Sequence, residues 1–160
     1  MTLEVIILAA GQGSRMRSST PKVLHPLGGK PLLQHVVDTA RSLEPSAIHV
    51  VVGHGADAVR KAMDGSGLHW VEQAEQLGTG HAVLQALPGL RDESTVLVLY
   101  GDVPLVAPDV LQTLVQAAAD NPALLTAVLD DPTGYGRVLR DTHNAFRAVV
   151  EHKDADPAEL

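Results

Sequence analysis

The sequence predicts an α/β domain: a mainly parallel sheet with flanking helices, followed by a C-terminal β-hairpin. Three observations lead there. Short β-branched apolar runs alternate with stretches whose apolar residues recur at helical spacing, the pattern of parallel strands joined by right-handed helical crossovers. The strand-like runs are apolar at successive positions rather than at every second one, as strands covered on both faces are. Three of them end in glycine-bearing turns. The alternation is Rossmann-like, and in such sheets ligands bind outside the carboxyl ends of the strands.

The elements follow in order. Leu3-Glu4-Val5-Ile6-Ile7-Leu8 reads as a strand buried on both faces, stopped by Ala9-Ala10-Gly11-Gln12-Gly13. Pro31 opens a helical pattern carried by Leu32, Leu33, Val36, Val37, Ala40 and Leu43, and proline suits a first helical turn. Ile48-His49-Val50-Val51-Val52 is a second strand, stopped by Gly53-His54-Gly55, with a helix after it over residues 56–63. Leu68-His69-Trp70-Val71 is a short third strand, and residues 80–87 read as helix. Thr95-Val96-Leu97-Val98-Leu99-Tyr100 is the clearest buried strand, closed by Gly101-Asp102. Residues 108–119 form a helix with Val110, Leu111, Leu114 and Val115 on its apolar side, and residues 124–129 read as a fifth strand. Gly136-Arg137-Val138-Leu139-Arg140 and Ala145-Phe146-Arg147-Ala148-Val149-Val150 flank Asp141-Thr142-His143-Asn144, a hairpin around a polar turn. Residues 154–160 read as an exposed segment.

Composition narrows the function. At 160 residues the chain is long enough for one domain with a proper core, and aromatics are only 2%, so Val, Leu, Ile and Ala must fill it. No cysteine is present, which excludes disulfides and thiolate metal sites and is compatible with a reducing cytoplasm. No run reaches the roughly 18 apolar residues of a membrane span, so the expectation is a cytoplasmic protein. The formal charge is −7, a poor basis for generic nucleic-acid binding. Against that background one window stands out. Residues 5–37 hold no Asp or Glu but do hold Arg15, Arg17, Lys22 and Lys30.

That window contains the first glycine turn. Gly11 and Gly13 let backbone N–H groups converge on an anion. The pattern is not a dinucleotide fingerprint, because Met16 holds the third glycine position, nor a P-loop, because no Gly-Lys-Ser/Thr follows. Taken alone, a Gly-x-Gly after a strand is a weak sign of phosphate binding and reads more readily as a tight strand-to-helix turn, and Arg15, Arg17 and Lys22 read either as phosphate ligands or as solvated surface charge. Thr20-Pro21 favours an extended approach to Lys22. Asp102 follows the most apolar strand, where a carboxylate suits a hard cation that bridges phosphates; the alternative is a turn or helix-capping aspartate. The eight histidines show no metal-ligand spacing, and His35 and His81 read as packing or surface residues.

A resemblance raises these readings together. Leu8-Ala9-Ala10-Gly11-Gln12-Gly13-Ser14-Arg15-Met16, Pro21-Lys22 and Gly29-Lys30-Pro31-Leu32 resemble the nucleotidyltransferase superfamily that activates sugar phosphates. Gln73-Ala74-Glu75-Gln76-Leu77-Gly78-Thr79-Gly80-His81-Ala82, Tyr100-Gly101-Asp102-Val103-Pro104-Leu105, Asp130-Asp131-Pro132-Thr133-Gly134-Tyr135-Gly136-Arg137 and Val150-Glu151-His152-Lys153-Asp154 narrow it to the bacterial N-acetylglucosamine-1-phosphate uridylyltransferases. The resemblance implies the nucleotide-diphospho-sugar transferase fold. It also implies a reaction of UTP with N-acetylglucosamine 1-phosphate, giving UDP-N-acetylglucosamine and pyrophosphate for peptidoglycan and lipopolysaccharide precursors, hence for cell wall and cell shape. By the same resemblance Leu8, Ala9, Ala10 and Gly11 line the nucleoside pocket, Gln73 reads the base beside Gly78 and Thr79, and Arg15 and Lys22 act at the phosphates. Asp102 holds Mg²⁺, and Tyr100, Gly101, Asp102, Gly136 and Glu151 face the sugar.

Members of that family continue further, so the resemblance implies that residues 1–160 are the N-terminal portion of a nucleotidyltransferase domain. The rest of that domain, which completes the metal and sugar sites, would follow. So would a left-handed β-helix that acetylates glucosamine 1-phosphate from acetyl-CoA and assembles a homotrimer. Two other readings stay open: a nucleotidyltransferase for another base or sugar, and a nucleotide-binding module without turnover.

Overall fold

The computed structural model describes residues 2–11, 13, 16, 18–118 and 121–158. The chain divides into two compact units, Met1–Ala123 and Leu124–Leu160.

The first unit begins with β1 (Thr2–Ala9), a 3-10 turn at Lys22–Leu24, and the short strands β2 (Pro26–Leu27) and β3 (Lys30–Pro31). It continues with α1 (Leu32–Arg41), β4 (Ala47–Val52), α2 (Ala56–Ala62), β5 (His69–Glu72) and α3 (Thr79–Ala86). After a second 3-10 turn at Leu87–Gly89 come β6 (Ser94–Tyr100) and α4 (Pro108–Ala117). Four strands form one parallel sheet in the order β5-β4-β1-β6. The register runs from Glu4↔Ala47 to Ala9↔Val52 on one side of β1 and from Thr2↔Ser94 to Leu8↔Tyr100 on the other. The carboxyl ends of β1, β4 and β6 therefore lie side by side.

Side chains of a strand alternate between faces, and β1 buries both. Val5, Ile7 and Ala9 pack with Leu33 and Val37 of α1, Val59 of α2 and Leu111 of α4. Ile6 and Ala10 pack with Val51, Ala82 and Ala86, the last two from α3. Fully burying each large apolar side chain contributes roughly 1.5–3 kcal/mol, so this two-sided core explains why the run must be apolar at every position. The exception is Glu4, only 1% exposed beside His49 at 3%. His49 Nε2 donates to Glu4 Oε2 over 3.2 Å, the backbone N–H of Arg91 donates to Oε1 over 3.2 Å, and the His49 ring stacks on His69.

Two expectations are corrected. β6 is not buried on both faces. Leu97 and Leu99 are covered, but Val96, Val98 and Tyr100 remain exposed. Apolarity at successive positions reports strand propensity, but β6 is the last strand in the order and β1 is its one ladder partner in that sheet. Residues 124–129 do not form a strand either. An extended apolar run becomes a strand only when another edge satisfies its N–H and C=O groups, and none of the strands is registered with this one. The β2–β3 pair went unforeseen, because prolines at Pro26 and Pro31 mask so short a ladder.

In the second unit β7 (Arg137–Arg140) pairs antiparallel with β8 (Phe146–Val150), with a bulge between Leu139 and Arg140. The expected polar turn is present. Asp141 Oδ1 accepts from the N–H groups of His143 and Ala145, and Asn144 adopts φ 64°, a left-handed conformation that Asn tolerates better than most residues.

Candidate functional site

The ends of β1 and β6, the start of α3 and the loop after β5 enclose a cavity of about 320 Å³, within the range of small-molecule sites. Leu8, Ala9, Ala10 and Gly11 line it from the end of β1, and Tyr100 and Asp102 from the end of β6. Gly101 lies between those two but does not line the cavity; its role is close approach. Its N–H donates to Leu8 O over 2.9 Å, and a Cβ at Gly101 would stand 3.1 Å from that oxygen and 3.3 Å from Val23 Cγ1. The missing side chain thus lets the end of β6 lie against β1 and carries Asp102 to the cavity wall.

Lys22 reaches the same wall from a turn 80 residues away. Its Nζ donates to Asp102 Oδ2 over 2.5 Å, with the two side chains 38% and 27% exposed. Local chemistry delivers it there. Pro21 is extended at φ −50°, ψ 136° and caps the 3-10 turn that starts at Lys22. Gly13 adopts φ +60°, and a Cβ there would stand 2.8 Å from Lys22 Cβ. Both the left-handed backbone and the close contact call for glycine. Lys22 and Asp102, read from the sequence as a phosphate ligand and a metal ligand, are thus brought into contact. Arg15 and Arg17 lie outside the described residues.

The other wall is polar but fixed. Gln73 is only 4% exposed, and its backbone N–H donates to Val52 O over 2.8 Å. Its side-chain amino group donates to Gly78 O over 3.1 Å and to His81 Nδ1 over 3.0 Å. Gly78 is the N-cap of α3 at φ +100°, ψ 178°, with no side-chain cap, a conformation essentially restricted to glycine. The N–H groups of a first helical turn have no partner within the helix, so the Thr79 end of α3 offers donors beside the cavity. Gln76, Val23 and Ala82 complete the lining.

The cavity thus pairs an ammonium and uncapped N–H donors with one carboxylate, a set that can hold an anion together with a cation. Among the described residues no group of three or more His, Cys, Asp or Glu side chains is arranged to hold a metal ion. Asp102 alone fits a hard cation that takes its remaining oxygens from phosphates and water, as Mg²⁺ does. It does not fit a metal caged by protein alone.

In the second unit Gly136 lies against the strand it faces. A Cβ there would stand 3.3 Å from Val149 Cγ1 and 3.9 Å from Glu151 Oε2. Gly136 and Glu151 are thus neighbours, although 15 positions apart in the sequence. Asp131 accepts the Thr133 N–H over 3.1 Å, and hydrogen bonds from the Thr133 side chain and backbone, with the Arg137 charge, outweigh burial and hold its carboxyl below the usual aspartate value.

One contributor escaped the sequence reading. His81, read as a packing or surface residue, grips the amide of Gln73. The eight-residue separation across a loop carries no distance information, and the hints were its place in the first turn of a helix that follows a glycine and its membership of the same motif as Gln73.

Comparison with known proteins identifies the family. Residues 5–156 match the model of the MobA-like NTP transferase domain. A protein of Pseudomonas paraeruginosa named bifunctional protein GlmU is 62% identical over 160 residues, covering 99% of this chain and 35% of its own length. A protein of the same name from Alkalilimnicola ehrlichii is 59% identical over 157 residues, covering 98% and 34%. The chain thus spans about a third of the length of the curated relatives it matches. Among solved structures, Rv0371c of Mycobacterium tuberculosis in complex with manganese has a TM-score of 0.62 at 26% identity, covering 73% of this chain and 59% of that one. HddC of Yersinia pseudotuberculosis complexed with GMP-PN has a TM-score of 0.70 at 24% identity, covering 92% and 68%, and supports the fold.

Proposed function

Because the chain belongs to the MobA-like NTP transferase domain family, we propose that it is the nucleotide-handling part of a cytoplasmic, magnesium-dependent uridylyltransferase acting on N-acetylglucosamine 1-phosphate. A sugar-phosphate nucleotidyltransferase is the activity that the fold and the relatives support together. The choice of UTP and of the amino sugar is the finer reading. The observation that carries the nucleotidyltransferase reading is the Lys22–Asp102 pair in one cavity with Gln73 and the N-terminal turn of α3. One side handles polyphosphate charge and the other a planar base.

In this reading an oxygen of the sugar phosphate attacks the α-phosphorus of UTP. A new P–O bond forms as the bond to the bridging oxygen of the leaving group breaks, and pyrophosphate departs in line. A phosphate monoester needs little activation, so the step requires alignment and charge neutralisation rather than a base. Leu8, Ala9, Ala10 and Gly11 hold the nucleoside against the end of β1, and Gln73, Gly78 and Thr79 take the base. Lys22 and Arg15 neutralise the α-phosphate and the leaving group. Asp102 and the phosphate oxygens would hold Mg²⁺, which supplies further neutralisation of the polyphosphate. Gly136 and Glu151, with Tyr100, Gly101 and Asp102, are assigned to the sugar. Glu151 is a ligand there and not a base.

The test has two arms. Calorimetry of this chain with UTP and Mg²⁺ should show binding. A pyrophosphate-release assay with N-acetylglucosamine 1-phosphate should show little turnover by the 160-residue chain and full turnover by a version extended to the length of its relatives. Absence of UTP binding refutes the nucleotide site. Preference of the extended enzyme for another triphosphate refutes the choice of base.

A further inference from the structure

The polar wall of the cavity is locked in one orientation, and the lock is a histidine. A glutamine side chain carries an acceptor and a two-proton donor at nearly the same place, so a free Gln73 could turn to suit a base of either polarity. It is not free. A carbonyl oxygen only accepts, so the atom 3.1 Å from Gly78 O must be the amino nitrogen. The same nitrogen lies 3.0 Å from His81 Nδ1, so its second proton goes there, and Nδ1 must be the bare, accepting nitrogen of a neutral ring. The proton of that ring then sits on Nε2, which faces the Gln85 amide at 3.1 Å. Two amino groups cannot both donate to one neutral imidazole. Gln73 is buried and anchored by Gly78, whereas the Gln85 contact is exposed, so Gln85 is the amide that turns to present its oxygen.

The consequence falls on Gln73 Oε1. With both amino protons engaged, Oε1 is the one polar group Gln73 has left for a ligand, and no donor among the described residues reaches it. A fixed acceptor on a cavity wall favours a base with a ring N–H at that position and repels one with a bare ring nitrogen there.

We propose that His81 is a specificity-determining positioning residue: by holding the amino group of Gln73, it fixes that amide as an acceptor and so selects an imide base, such as uracil, over cytosine. The inference rests on the assignment of Gln73 to the base, and it adds the residue that decides the polarity of the contact.

Loss of one neutral hydrogen bond changes an equilibrium by roughly two- to tenfold, and His81 supplies one of the two bonds that hold the amide. Calorimetry of the chain with UTP and with CTP, both with Mg²⁺, reads the ratio of the two affinities. In His81→Ala this ratio should fall about fivefold, with CTP gaining where UTP loses. In His81→Asn it should return close to wild type, because Asn Oδ1 stands near the position of Nδ1 and accepts as it does. An unchanged ratio in His81→Ala overturns the proposal, as does an Asn variant no better than Ala. Nitrogen NMR of the wild-type ring tests the lock without any nucleotide and without a variant that must fold. A bare Nδ1 and a protonated Nε2 are expected, and the opposite tautomer overturns the proposal. Wild-type protein that binds UTP and CTP equally while showing the expected tautomer refutes the base assignment instead, and with it the inference built on it.

Discussion

Lys22→Ala should move two affinities in opposite directions. The Lys22 ammonium sits on Asp102 at 2.5 Å, where the proposed cation would bind, so lysine and metal would compete for one carboxylate. The two side chains are 38% and 27% exposed, which places the pair between a surface ion pair and a buried one. Exposed pairs contribute up to about 1 kcal/mol, with solvent screening included. Taking about 1 kcal/mol, and tenfold for each 1.36 kcal/mol, removal of the lysine should raise the affinity of the nucleotide-free chain for Mn²⁺ or Mg²⁺ about fivefold. The same substitution should weaken binding of UTP in the presence of Mg²⁺. In an extended, active version it should lower turnover by on the order of 10²–10³, as loss of one preorganised charge donor does. Free Mn²⁺ is read by its electron paramagnetic resonance signal during titration of wild type, Lys22→Ala and Asp102→Asn. Asp102→Asn should bind the metal more weakly than either. A Lys22→Ala chain that binds Mn²⁺ no better than wild type refutes the competition, and one that retains affinity for UTP with Mg²⁺ removes Lys22 from the phosphate site.

Three further outcomes follow from the geometry. Gly78→Ala should destabilise the chain by about 1–3 kcal/mol, the cost of a non-glycine residue at φ +100°, ψ 178°; urea denaturation checks it, and an unchanged midpoint would mean the backbone relaxes without strain. Glu4→Ala leaves His49 Nε2 buried without an acceptor, at a cost of about 1–3 kcal/mol, and also removes the acceptor of the part-buried Arg91 N–H. A total near 3 kcal/mol is expected by the same measurement, and a loss below about 1 kcal/mol would show that water replaces the carboxylate. Burial raises the Asp38 carboxyl, but hydrogen bonds from Lys30 and Gln34 and the charges of Lys30 and Arg41 outweigh it and hold the group below its ordinary value of 3.8. A depressed carboxylate stabilises the fold above its unfolded pKa and loses that contribution as pH falls through the folded one. The stability gap between wild type and Asp38→Asn should therefore be full above about pH 4 and close under more acid conditions, and a gap that widens on acidification would reverse the assignment.

Much of this was legible in the sequence, and the boundary is physical. Periodicity and β-branching located β1, β4, β5 and β6 and the four helices, because those signals are local. They failed where the outcome depends on a partner. Residues 124–129 have strand composition but no ladder, and Val96, Val98 and Tyr100 have core composition but lie exposed. The site divides in the same way. Glycines that end strands, and a cluster of cations in an acidic chain, pointed to the cavity and to Lys22 and Asp102. The role of His81 was not visible, since whether a histidine packs or grips depends on which nitrogen faces which atom, and spacing along the chain says nothing of that. Gly101 was legible as a glycine at a strand end, but its function is to leave 3.1 Å between its absent Cβ and Leu8 O, a distance only the packed ends of β1 and β6 define.

The charge pattern bears on how the proposed site would discriminate between ligands. A protein of formal charge −7 repels a triphosphate at long range, so attraction must come from a short-range field that the acid-free residues 5–37 supply. Left bare at a cavity wall, Lys22 would draw any anion; paired with Asp102 it presents a neutral face. A ligand that brings only negative charge must break that pair and leave Asp102 repelling it, whereas one that arrives with its own divalent cation exchanges one ion pair for two. The proposed site would then select the metal complex over the free nucleotide through the pairing of two residues 80 positions apart. It predicts that UTP without a divalent cation binds Lys22→Met no worse than wild type, while UTP with Mg²⁺ binds that variant more weakly. Equal losses in both conditions would show that Lys22 acts as a plain phosphate ligand, with no exchange of partners at Asp102.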